Sequence, residues 1–126
     1  MSTTLFIAGL LAIVIAIVHS ALGEILIFSR MRQGTVVPTS GQPLLRERHV
    51  RILWASWHLV SLLGLAFAAL LLHSAYSGDG SFNAAFVHNT VFFVMAASAL
   101  LVLIATLGKH PGWVGLLAVA VLVWMR

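Results

Sequence analysis

Apolar residues fall in four blocks along the chain, separated by three polar stretches. The first block runs from Leu5 to Phe28 and is broken only at His19, Ser20 and Glu24. At the rise of an α-helix it makes about 36 Å, enough to cross a hydrocarbon core of about 30 Å. The second block is apolar from Val50 to Leu72. Its helix is expected to start at Pro43, since proline suits the first helical position, with 44–49 lying among lipid headgroups and the end at His73. The third is expected over 82–107, with Asp79 or Ser81 as its N-terminal cap and Gly108 closing it. The fourth follows Pro111 and reaches Arg126. It makes only about 22 Å of helix, so it reads as a short span held at its ends by Trp113, Trp124 and a snorkelling Arg126.

This pattern predicts an all-α integral membrane protein. It is one transmembrane domain over 1–126, an up-down bundle of four transmembrane helices at about 5–28, 43–73, 82–107 and 112–126. The stretch 29–42 is the one sizeable loop, and Gly34, Pro38, Ser40 and Gly41 give it turn character.

Composition sharpens the class. Hydrophobic residues make up 61% of the 126 positions and charged ones 8%, against about 25% charged in soluble domains. Soluble and disordered chains are both excluded. Without cysteine, the chain has no disulfides, cysteine-ligated zinc or iron–sulfur clusters.

Seven basic residues against three acidic ones give a net charge of +4, but they sit beside the apolar blocks. That is the signature of membrane topology, and a nucleic-acid partner is not expected. Arg30, Arg32, Arg46, Arg48 and Arg51 lie in or beside the first loop, Lys109 and His110 in the third, and only Asp79 in the second. The first and third loops are therefore expected on the cytoplasmic side, with both termini outside, as in a bacterial inner-membrane protein. No basic stretch precedes the first block and no small-residue cleavage site follows it, so it reads as a retained helix.

Chemistry is sought among polar groups at membrane depth, where burial is expensive. These are His19 and Glu24 on the first helix, Arg51, His58 and Ser61 on the second, and His88 with Asn89 on the third, with His73 at the outer end of the second. With Phe28 and Val50 at the cytoplasmic boundary, His19 and His58 share a level about 12–13 Å in, and Glu24 and Arg51 lie close enough in depth to pair. Arg51, Trp54 and His58 fall on one helical face with Ser61 at its edge. His19 and Glu24 are about 140° apart around their helix, so a cage using both requires a bend or a second subunit. Ser20 and Gly23 between them permit close helix approach.

Three chemistries suit this set. Haem b with axial imidazoles from His19, His58, His73 and His88 would make an electron-transfer protein. A single zinc or iron ion on His19, Glu24 and His58, with Arg51, Trp54 and Ser61 as substrate or structural support, would make a metal-dependent membrane enzyme. A histidine–glutamate relay would carry protons or small solutes. The non-catalytic alternative is an accessory subunit of a larger membrane complex or a homo-oligomer, surrounded by membrane lipid. Its polar groups would then fix helix pairing, with Gly9, Gly64 and Ala66–Ala69 as contact surfaces.

Overall fold

A computed structural model describes residues 1–77 and 83–125. Among these described residues four α-helices follow in chain order: α1 (Thr3–Leu22), α2 (Glu47–Tyr76), α3 (Ala84–Thr106) and α4 (Gly112–Trp124). Each packs on the next, α1 on α2, α2 on α3, and α3 on α4. The result is an all-α fold with three helical segments long and apolar enough to cross a membrane: Thr3–Met31, Glu47–Tyr76 and Ala84–Thr106. Four such helices were expected. The fourth, Gly112–Trp124, has 13 residues, about 20 Å of helix, and falls short of that length on its own.

The sequence dictates how α1 meets α2. Nearly all of α1 is aliphatic, yet its buried positions are Gly9 and Ala16, followed seven residues on by Gly23. This heptad spacing aligns small residues along one seam, so the backbones approach closely while the larger side chains point outward. A β-carbon on Gly9 would lie 2.7 Å from the Leu72 side chain, and one on Gly23 would lie 2.1 Å from the Trp57 indole nitrogen. Ile7, Val14, Ile15 and Ile25 are more than half exposed, as a lipid-facing surface requires.

Beyond Leu22 the helix widens. Gly23–Ile27 forms a π-turn, in which the Phe28 amide bonds back to Gly23 and Glu24, and Phe28–Met31 tightens into a 3₁₀ turn. The loop then folds against its own origin: the amides of Thr39 and Ser40 both bond the Met31 carbonyl, and Pro38 is buried. The helix predicted from Pro43 begins at Glu47, because Gly41–Leu45 closes a small turn and Arg46 is extended.

The core lies between α2 and α3, where Ala55, Val102 and Ala105 are covered by Ile52, Leu59, Trp113 and Leu116. Asn83 caps α3, accepting bonds from Ala85 and Phe86. The expected caps Asp79 and Ser81 lie outside the described residues, as does the snorkelling Arg126. At the far end of α3, Gly108 returns its amide to Leu103 and Leu107 to Ile104, a Schellman closure that puts Leu107 itself in the left-handed region at φ 54°.

Candidate functional site

The π-turn sets the site. Three N–H donors converge on Glu24, which lies in its first turn. Trp54 Nε1 and His58 Nε2 meet Oε1, the latter at 2.8 Å, and Arg32 reaches Oε2. Helix widenings of this kind recur at functional sites because they re-aim side chains without breaking the helix. Arg32 gets there because the chain reverses after Met31, and its Nε is fixed on the Val36 carbonyl at 2.7 Å.

The other ring nitrogen of His58 is also engaged. Nδ1 lies 2.9 Å from Ser20 Oγ, and Ser20 Oγ lies 2.8 Å from Ser61 Oγ. Trp54 packs edge-on to His58 with centroids 4.7 Å apart, and Phe28 stands 6.2 Å away. The imidazole is thus held by hydrogen bonds at both nitrogens and by aromatic rings beside it. Its side chain is 17% exposed and that of Glu24 26%.

Helical spacing accounts for the grouping. Ser20 and Glu24 are four apart on α1 and its extension, while Trp54, His58 and Ser61 are four and three apart on α2, so each set shares a face. Ser20, Glu24, His58 and Ser61 line a groove of about 540 Å³ whose walls are otherwise Ala16, Ile17, Ala21, Leu62, Leu65 and Leu101. Ser61 lies about 21 Å along α2 from Glu47, near the middle of that helix.

His19 is placed differently. Its ring stacks on Trp57 at 4.3 Å and 7°, and its carbonyl accepts the Trp57 indole N–H at 2.9 Å. Its Nε2 is buried without a partner among the described residues, and no hydrogen bond or ring contact joins it to His58. The shared level of His19 and His58 does not bring their rings together; Ser20, one residue on, faces His58 instead. Arg51, expected to pair with Glu24, bonds Glu47 at 2.7 Å and the Ala105 carbonyl at 3.1 Å, tying α2 to the end of α3. His73 stacks on Phe86 at 4.0 Å. His88 lies in a small recess with Asn89, Phe92 and Trp124, its Nδ1 without a partner among the described residues.

Two participants are not among the candidate residues of the sequence. Ser20 there serves close packing, although its spacing of four from Glu24 is a signal. Arg32 has none, since a loop residue reaches the site only through the chain reversal.

The hydrogen-bonded line has a specific chemical property. Hydroxyl protons rotate freely and each hydroxyl both donates and accepts. With His58 neutral and its Nε2–H on Glu24, Nδ1 accepts from Ser20, which accepts from Ser61. With His58 charged, Nδ1–H donates to Ser20 and Ser20 donates to Ser61. Both states keep every bond and differ by one proton and two hydroxyl rotations. Among the described residues no group of three or more histidine, cysteine, aspartate or glutamate side chains is placed to hold a metal ion. No family model, curated protein or solved structure matches the chain.

Proposed function

We propose that this membrane protein is an acid–base device, in which the His58–Glu24 pair exchanges a proton between the cytoplasmic boundary and an occupant of the groove between α1, α2 and α3. One observation carries the reading: the unbroken line Arg32–Glu24–His58–Ser20–Ser61, which accommodates both charge states of the imidazole. Histidine is the side chain suited to gain and lose a proton near neutral pH, and an ionisable pair at membrane depth is costly unless used. The line ends at Ser61 near mid-helix, with apolar groove walls around it, which favours delivery to a bound molecule over conduction from one surface to the other.

The topology completes the proposal. Loop 29–42 and the turn around Lys109 face the cytoplasm, both termini face outward, and α4 crosses as a short terminal span within a bacterial inner membrane, by the asymmetry of basic residues. Haem or a single zinc or iron ion would have to displace Ser20 or Glu24 from His58, both of whose nitrogens are engaged; the acid–base reading leaves each partner where it is. A second reading, an accessory or self-associating subunit, is favoured by α1, which among the helices packs on α2 and turns a continuous apolar face outward.

The test is ¹⁵N-histidine NMR of the protein in detergent between pH 5 and 9, with His58 assigned by its loss in His58→Gln. The expected result is a reversible change between imidazolium and a neutral ring protonated at Nε2, with proton exchange slowed at least tenfold in Ser20→Ala. A ring fixed in one state across the range would overturn the proposal. So would stoichiometric haem or metal, seen by absorption and elemental analysis and lost in His58→Gln.

A further inference from the structure

A second cavity lies at the other side of α2's N-terminal end, sharing no lining residue with the groove. It measures about 660 Å³ and lies between the start of α2 and the turn joining α3 to α4. Arg46, Arg48, Arg51 and Lys109 all line it, against the single carboxylate of Glu47. These residues come from the start of α2 and the turn joining α3 to α4, so the fold itself gathers the charge. Like charges repel, and four cations around one hollow are a standing cost unless an anion enters.

The partners of these cations narrow the ligand. Arg51 is oriented by Glu47 and the Ala105 carbonyl, which leaves its Nη2 uncommitted. Arg46 and Lys109 make no side-chain hydrogen bond among the described residues, and both are exposed. Arg46 is also the N-cap of α2 and supplies no side-chain cap, while the His49 and Val50 amides bond its carbonyl. One guanidinium held in place at Arg51, the exposed guanidinium of Arg46 and the exposed ammonium of Lys109 together match the charge and oxygens of a phosphate group.

We infer that this cavity is a phosphate-binding site, taking the phosphate of an anionic lipid headgroup at the cytoplasmic surface or a free phosphate ion. The two sources share their recognition chemistry and differ in how they arrive. The site is independent of the proton line, so its occupancy does not depend on the function proposed above.

The experiment is thermal unfolding of delipidated protein in a zwitterionic detergent, titrated at constant ionic strength. The probes are short-chain phosphatidylglycerol, short-chain phosphatidylcholine, inorganic phosphate and chloride. Saturable stabilisation by phosphatidylglycerol alone assigns the headgroup; an equal response to inorganic phosphate assigns the free ion. In both cases the double variant Arg46→Ala, Lys109→Ala is expected to weaken the apparent affinity at least tenfold, while Arg30→Ala, outside the cavity, leaves it unchanged. No saturable response to either anion, an equal response to phosphatidylcholine and chloride, or an equal loss in Arg30→Ala would overturn the inference.

Discussion

Substituting Gly23 by alanine puts a methyl group where the indole of Trp57 now sits. The added carbon would lie 2.1 Å from Nε1 and 2.6 Å from Cδ1, where ordinary contact begins near about 3.5 Å. The indole must therefore retreat by more than an ångström. Three interactions hold it: the 2.9 Å bond to the His19 carbonyl, the 4.3 Å stack on the His19 ring, and the edge contact with Phe28 at 6.0 Å. Losing the bond costs about 1 kcal/mol and disturbing the aromatic contacts about 1 kcal/mol. Overpacking the seam adds about 1–3 kcal/mol, and alanine returns about 1 kcal/mol through helix propensity. The net is a destabilisation of about 2–4 kcal/mol, a thirtyfold or greater fall in the folding equilibrium.

The assay is reversible unfolding in mixed micelles, followed by tryptophan fluorescence. The Trp57→Leu background should remove most of the penalty, giving a coupling energy above about 1 kcal/mol. A Gly23→Ala protein as stable as wild type, or one whose penalty persists unchanged in Trp57→Leu, would refute the argument that this seam is set by the indole.

Other outcomes follow from single residues. Glu24→Ala leaves three N–H donors without their acceptor and is expected to cost about 3–5 kcal/mol, measured by the same unfolding. Leu107→Gly relieves a left-handed backbone at an exposed position and should stabilise by about 1 kcal/mol, whereas Gly108→Ala at φ 73° should destabilise by a similar amount. Ser98 is fully buried and its hydroxyl has no partner among the described residues, so Ser98→Ala should be neutral or stabilising by up to about 1–2 kcal/mol in a thermal melt. Because the chain has no cysteine, Gln33→Cys and Ser77→Cys give unique labels. A membrane-impermeant maleimide should reach them from opposite faces of sealed vesicles, Gln33→Cys from the cytoplasmic one.

How much of this was legible varies by element. Long apolar blocks give α1, α2 and α3 directly, because length and hydropathy alone decide whether a helix can cross a bilayer. The start of α2 was not legible: Pro43 is compatible with a first helical turn, and only the turn closed between Gly41 and Leu45 moves the start to Glu47. Within the site, the i, i+3 and i+4 faces of α2 are simple helical arithmetic. The same arithmetic separated His19 from Glu24, and equal depth proved insufficient to pair His19 with His58, since rotation about the axis counts as much as height. The π-turn and the recruitment of Arg32 depend on tertiary packing around Gly23 and Met31, for which no local pattern in the chain is a marker.

The groove beside His58 also has a consequence for how a molecule would reach it. Its walls of Ala16, Ile17, Leu62, Leu65 and Leu101 belong to helices with the composition of membrane spans, so on the acid–base reading proposed above an occupant is expected to enter sideways from the bilayer. Its supply would then be governed by the partition coefficient between water and lipid, and its abundance counted per lipid molecule instead of per litre. For a series of compounds of equal shape, occupancy at a fixed aqueous dose should climb with lipophilicity, and diluting the protein with added lipid at constant volume should lower it.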